Sequence, residues 1–313
     1  MKALCTFCAV LALHATLHAV EITVGSTTFD IPAPEGFAPV TKEMQPYANF
    51  SKSFAGPGNT LFAVFLSEEA IAVAEEGGMP DDTRKFVIQS PTSLLRRTAT
   101  KTDFEEFKKV LKTQNEEFIK KAQKQASRAI EKTTDSLAKN FDIEVKVSSF
   151  QMIPMPAHEE TDRSFAHAAL IKYQFDNGAE FEVAVTLSLV HVKGKILTLY
   201  VFAENSALEW SKAAVKTWSD DIIAANPSMG AVASAEEKAS RAFGKKGTSS
   251  DSIPYRIGYI VGFVGAFVGI LCFIAVVIGG LVYVLYIFIK KKTNAKKKSR
   301  ENSGDSGGGE NKS

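Results

Sequence analysis

The sequence predicts an α/β (α+β) sandwich, an antiparallel meander sheet with a long helix and a C-terminal helix, followed by one C-terminal transmembrane helix. Three observations carry this reading. Three or four strand-like runs follow one another between residues 143 and 202, and the last three are separated by the turn signals Asp176-Asn177-Gly178 and Lys193-Gly194. Apolar residues at three- and four-residue steps flank that run on both sides, as amphipathic helices require. Finally, Ile257–Ile289 is free of charge between Arg256 and Lys290-Lys291-Lys292. Composition agrees with a chain of this build. A mean hydropathy of -0.02 is high for a protein with 23% charged residues, and the apolar surplus lies at the two ends. Collagen, a disulfide-stapled mini-protein and a wholly disordered chain are excluded.

Residues 1–19 read as a signal peptide. Met1-Lys2 supplies the positive start and Ala3–Leu13 an apolar run of the length expected of a signal core. Ala19 suits the residue before the cut, although Leu17 is bulkier than usual two places earlier. Eleven apolar residues are too few for the ~20 that span a bilayer. Cys5 and Cys8 then leave with the leader and Cys272 lies in the distal apolar segment. The domain between has no cysteine, hence no disulfide, thiolate nucleophile or cysteine-ligated metal. A cysteine-free exported domain this long points to a bacterial protein.

Residues 20–227 form the predicted domain. Glu21–Val24 and Thr27–Ile31 flank Gly25-Ser26 as a small hairpin, ended by Pro32-Ala33-Pro34-Glu35-Gly36. Leu61–Leu66 is a buried-strand candidate and Lys85–Gln89 a weaker one. The acidic stretch between, Ser67–Asp82, reads as an exposed excursion. A long helix follows, with Thr102 and Glu105 as its capping box and Phe104, Phe107, Leu111, Phe118, Ala122, Ala126, Ala129 or Ile130, and Leu137 along one stripe, running to about Asn140, a length that leaves room for a break near Thr133-Thr134. Its lysines alternate with glutamates, which supports i,i+4 pairs and argues against a nucleic-acid surface.

Ile143, Val145 and Val147 alternate with polar residues as the first strand of the meander. For the next hairpin, a three-residue Asp176–Gly178 loop pairs Tyr173 with Phe181, Ile171 with Val183 and Ala169 with Val185. That register keeps one face apolar and places Gly178 left-handed, whereas a two-residue turn mixes the faces. The strand Ile196–Phe202 is apolar on both faces, so it is central and covered on both sides. Ser206 and Glu209 cap a final helix with the stripe Trp210, Ala214, Trp218, Ile222, ended by Asn226-Pro227.

Residues 228–254 form an Ala/Gly/Ser/Lys-rich stalk. Residues 255–289 form the transmembrane helix: Tyr259 and Tyr286 stand ~41 Å apart along a helix, close to the ~40–45 Å between headgroup layers. Residues 290–313 are a basic, disordered cytoplasmic tail, eight Lys/Arg against three acids, where residues 20–255 hold 27 against 32. This asymmetry predicts a single-pass protein of the bacterial inner membrane, N-terminal domain extracytoplasmic and C-terminus cytoplasmic. The lipid bilayer is thus one partner, and the Lys290–Arg300 cluster offers contacts to anionic lipid. Gly258, Gly262, Gly265 and Gly269 include two GxxxG spacings, which let helix backbones approach and point to a homo-oligomer through the span.

Chemistry-bearing candidates are few. His158-Glu159-Glu160-Thr161-Asp162 gathers an imidazole and three carboxylates, the makings of a divalent-metal or general-base cluster. Following Pro154 and Pro156, it reads instead as a solvated loop. A metal-dependent hydrolase built on His158, Glu159, Glu160 and Asp162 is therefore the alternative and not the leading expectation. His167 and His191 fall four residues apart along the ladder, ~13 Å, too far to share a ligand. Gly56-Pro57-Gly58-Asn59-Thr60 lacks the ending of a phosphate loop and reads as a turn. Trp210 and Trp218 pack a core rather than line a groove. No catalytic, metal or cofactor-binding residue is assigned, and no cofactor is expected.

The order of hairpin, strands, long helix, meander and terminal helix, with Gly194-Lys195-Ile196 entering the last strand and Trp210/Trp218 after it, resembles the PsbP-like fold. That group is named for an extrinsic photosystem II protein and includes many bacterial exported domains. The resemblance covers about residues 21–226 and implies a binding or assembly accessory; a membrane scaffold or signalling protein is the other non-enzymatic expectation.

Overall fold

The computed structural model describes residues 19–55, 58–80, 83–112, 130, 132–176 and 178–227. Two strands open the domain, β1 (Val20–Val24) and β2 (Thr27–Ile31), paired antiparallel with Val24 opposite Thr27. Gly25 leads the two-residue turn with φ +66° and lies against the Leu95 carbonyl, where a β-carbon would collide. Glycine is required there twice over, for the backbone angle and for the close approach.

Seven strands make the main sheet: β3 (Phe37–Pro39), β4 (Asn59–Ser67), β5 (Lys85–Pro91), β6 (Val147–Glu160), β7 (Ser164–Phe175), β8 (Glu180–Val192) and β9 (Lys195–Glu204). Their order is β3-β4-β5-β9-β8-β7-β6, and each neighbouring pair is antiparallel. The predicted α+β class with an antiparallel sheet and a C-terminal helix is therefore present. The weak strand candidate at Lys85–Gln89 sits next to the centre, with every residue buried. Strand β9 is central and covered on both faces, as its two-sided apolar pattern demands. Tyr173 opposes Phe181, Ile171 opposes Val183 and Ala169 opposes Val185, the register that the face argument selects, with Gly178 at φ +79°. At the next turn Lys193 and Gly194 both take positive φ, as a tight two-residue hairpin turn does.

Helices cover both faces. On one lie α1 (Tyr47–Ser51), α2 (Glu68–Glu75), α3 (Lys101–Lys112) and a helical stretch at residues 132–141. Phe50, Phe54, Phe104, Phe107, Leu111 and Leu137 pack there against Ile171, Tyr173, Tyr200 and Phe202. On the other face lie the β1–β2 hairpin and α4 (Leu208–Ala225), around Trp218, Phe65, Phe86, Leu199 and Val201. Trp218 meets Phe65 and Phe86 edge-on at 5.6 and 5.1 Å and donates its indole N–H to the Pro32 carbonyl at 2.9 Å. Beneath α4, Ser211 bonds Thr186 at 2.6 Å and Ser219 bonds Ser188 at 2.9 Å, so buried hydroxyls satisfy one another where helix and sheet touch.

Several expectations need correction. Ser67–Asp82 is not a plain exposed excursion, because Ser67 caps α2 and Ala70, Ile71 and Ala74 turn into the core. The capping box of α3 is Thr100–Asp103 rather than Thr102–Glu105: the Asp103 N–H donates to Thr100 Oγ1, and Thr100 N–H donates to Asp103 Oδ2. Ala99 is anchored to Gly194 of the sheet, so tertiary contact selects which of two overlapping boxes starts the helix. Residues 132–141 are helical straight through Thr133-Thr134, so the helix is unbroken there. The first meander strand begins at Val147, leaving Ile143 and Val145 outside it. Helix α4 has no side-chain N-cap, since Ser206 hydroxyl turns to Glu204 at 3.4 Å instead.

No helix among the described residues is long and apolar enough to cross a membrane. The signal peptide, stalk, span with Gly258, Gly262, Gly265 and Gly269, basic tail, and helix positions Phe118, Ala122, Ala126 and Ala129 lie outside the described residues.

Candidate functional site

The His158 cluster is where sequence places the most chemistry, and folding takes it apart. The expected loop at Pro154–Glu160 is strand: β6 continues through both prolines to Glu160. Proline survives because β6 is the outermost strand, where half of the N–H groups need no partner, and because the register shifts between Pro154 and Ala157 and again between Ala157 and Glu159. Alternation then separates the acids. Glu159 opposes Ala166 and reaches Lys216 of α4 at 3.5 Å, while Glu160 opposes Phe165 and turns to the other face. There it meets Lys112 at 2.6 Å and Lys108 at 3.6 Å, and Asp162 meets Lys101 at 3.2 Å.

Each acid thus has a cation of its own. The Lys112 hydrogen bond holds Glu160 below the usual carboxylate range, and the Lys101 hydrogen bond does the same for Asp162. Burial first, and then Lys212, pushes the His158 imidazole down. Among the described residues no three His, Cys, Asp or Glu side chains gather as a metal would need. The hydrolase alternative on His158, Glu159, Glu160 and Asp162 fails on placement, because period-two geometry sends neighbouring acids to opposite faces.

His167 is a buried core residue, and His191 is half-buried towards the end of β8. His167 opposes Leu187, four places from His191 on the partner strand. It is buried with neither ring nitrogen bonded among the described residues, and burial drives its pKa down to about 4. His191 stacks on Phe104 at 5.4 Å and donates Nε2–H to the Ala99 carbonyl at 2.8 Å, tying α3 to the β8–β9 turn. Trp218 is core. Trp210 is half-buried, with Phe37 at 6.2 Å, Phe86 at 6.0 Å and the Arg84 guanidinium 4.9 Å above its ring, so it caps the hydrophobic edge.

Two features escaped the sequence. An open hollow of ≈ 320 Å³ lies where β8 begins and β9 ends, lined by Glu180, Phe181, Glu182, Glu204, Asn205 and Ser206. The antiparallel register that sets Val183 opposite Glu204 assembles it. Glu182 is engaged by Lys172 and by Asn205 Nδ2 at 2.7 Å, which leaves the hollow acidic and open. The second feature is the β6 edge itself. Fourteen residues long, it is bonded along β7, while the opposite edge, β3, is three residues long. Between the register shift at Ser148 and Pro154 it runs regularly from Ser149 to Ile153 without a charge. Its outer side faces no strand among the described residues. The clue was the β-propensity of Phe150–Ile153, masked by the two prolines that follow.

No protein-family model matches the chain, and no curated protein matches it. Among solved structures, the chain is similar to the cyanobacterial PsbP, CyanoP, of Synechocystis sp. PCC 6803. The identity is 12%, over 68% of this chain and 94% of that one, with a TM-score of 0.25, so the resemblance to the PsbP-like fold is weak and concerns fold alone.

Proposed function

We propose that this protein is a recognition or assembly module held at a membrane, and that its folded domain works through the outer edge of β6 rather than through a catalytic centre. The observation that carries the reading is the long edge strand with its uncharged, regular centre. Natural sheets blunt such edges with charge, proline or bulges, and here those devices flank Ser149–Ile153 rather than interrupt it. Strand addition to an open edge supplies main-chain hydrogen bonds for affinity and side-chain pockets for selectivity. The acids that looked catalytic are instead neutralised by lysines of α3 and α4, which brace the end of β6.

The membrane half of the proposal rests on the sequence. The charge-free segment 257–289, the basic residues after it and the acidic balance before it put the domain outside and the tail inside. The test of the edge is photo-cross-linking in cells from a benzophenone side chain at Gln151, with Thr217 on the exposed side of α4 as control. A discrete adduct from Gln151 and none from Thr217 is expected. Equal or absent adducts at the two positions would remove β6 as the recognition surface.

A further inference from the structure

The domain is electrically polarised along its strands, and we infer that the end from which the chain leaves for the membrane docks on the anionic phospholipid headgroups of that bilayer. The inference rests on the proposed membrane anchor and not on the β6 edge. It begins from where the chain exits. Asn226, next to the last described residue, is fixed at the end of the sheet that carries the β8–β9 turn, because Lys193 reaches its Oδ1 at 2.9 Å. Two further segments gather at the same end. The Ala99 N–H donates to the Gly194 carbonyl at 2.8 Å, and Lys195 Nζ donates to the carbonyls of Leu95 and Arg97 at 3.1 and 2.7 Å. The β6–β7 turn joins them: the His191 N–H donates to the Arg163 carbonyl at 2.8 Å, and Lys101 meets Asp162 at 3.2 Å.

These segments are basic. Residues 95–101, 161–163 and 193–194 hold Arg96, Arg97, Lys101, Arg163 and Lys193 against Asp162 alone. Arg96, Arg97 and Lys101 are exposed, and the Lys101–Asp162 pair is exposed on both sides, so a lipid phosphate competes with it at little cost. The other end of the strands is acidic. The hollow brings Glu180, Glu182 and Glu204 together there, and α2 opens with Glu68 and Glu69 where β4 ends, with Arg84 and Lys172 among them.

The ten residues of β9 hold the two ends ~30 Å apart, several Debye lengths at physiological salt, so neither end cancels the field of the other at its own surface. Residues 20–255 carry 27 basic against 32 acidic side chains, and an anionic surface therefore selects the basic end over the rest. Guanidinium and ammonium groups pair with phosphate oxygens, and this attraction acts only within about a Debye length of the bilayer. The tether supplies that proximity, because confinement raises the effective concentration of the patch at the surface. Exit of the chain at Asn226 turns the same end towards the membrane. Docked in this way, the domain holds its acidic hollow away from the bilayer.

The test uses the full-length chain in lipid nanodiscs, with Cys5, Cys8 and Cys272 changed to Ser and a donor dye on Thr98→Cys at the basic end or on Ser206→Cys at the acidic end. Energy transfer to an acceptor on the headgroups reads the distance of each end from the bilayer. Replacing phosphatidylcholine by a mixture rich in phosphatidylglycerol should raise transfer from Thr98→Cys roughly twofold and leave Ser206→Cys unchanged or lower, and ~1 M salt should abolish the rise. Arg96→Glu alone should reduce the rise and Arg96→Glu with Lys101→Glu should abolish it, thermal denaturation of both variants being unchanged. No rise at Thr98→Cys, an equal rise at both positions, or a rise that survives the double charge reversal overturns the inference and leaves the anchor in place. A chain that does not enter the disc removes the anchor and the inference together.

Discussion

His167 shows how a single side chain can be read from either end of the argument. Its place on the apolar side of β7 marks it as a core histidine, and the fold buries it with its pKa driven to about 4 from 6.5, desolvation leading and His158 adding to the shift. The unfolded chain takes up a proton near 6.5 and the folded one only near 4, so the unfolded state holds more protons across that window. Stability is therefore complete above pH 6.5 and falls as pH drops towards 4, by on the order of 3 kcal/mol from this residue. Burial lowers His158 and His191 in the same direction. Denaturation midpoints measured at neutral pH and near pH 4 should fall for the native protein and fall clearly less for His167→Leu. An undiminished fall in the variant would show that His167 is not held neutral by the fold. His158 was the harder residue: sequence placed it in a loop beside three acids, and only pairing with β7 separates them.

At the scale of elements, hairpins and helices with a self-sufficient local signal were legible, and those that depend on distant partners were not. The β1–β2 hairpin, the β7–β8 register and the stripe of α4 follow from turn residues and periodicity alone. The start of α3 does not, because two capping boxes overlap and Ala99 decides between them by its bond to Gly194. The attachment of the N-terminal hairpin is likewise a long-range matter. Asn226, just past α4, accepts from the Asp30 N–H at 3.0 Å and donates to the Asp30 carbonyl at 2.6 Å, like an added rung of the strand. Lys193 reaches Asn226 Oδ1 at 2.9 Å and the Thr28 carbonyl at 3.1 Å, completing the clasp. Asn226→Ala should cost about 2 kcal/mol, since the part-buried main-chain groups of Asp30 lose their partners. Chemical denaturation measures the cost, and amide exchange in Val20–Ile31 should quicken first; a variant of native stability would mean the apolar contacts alone hold the hairpin.

For the whole molecule, the proposal makes a domain on one side of a bilayer and a tail on the other. Because the described domain has no cysteine, the topology can be tested cleanly. With the native cysteines replaced, a membrane-impermeant maleimide should label Thr217→Cys on spheroplasts and Ser303→Cys only after permeabilisation. The reverse pattern, or labelling of both at once, would sink the proposed orientation. Element order made the class of fold accessible, whereas the layer structure needed coordinates. Nothing local says that β5 lies beside β9, yet that crossover pairing is what buries Lys85–Pro91 on both faces.

By itself the sequence determined the elements whose cause is short-range: the hairpin turns at Gly25 and Gly178, the two-sided apolar strand at Ile196–Phe202 and the amphipathic stripes on either side of the meander. Local backbone preference and hydrophobic period act within a few residues, so they are written in the order of residues. Tertiary structure alone decided that Pro154 and Pro156 sit in an edge strand and that Glu159 and Glu160 answer to different helices. These depend on which strand ends the sheet among the described residues, a property of the sheet's order and of no single segment.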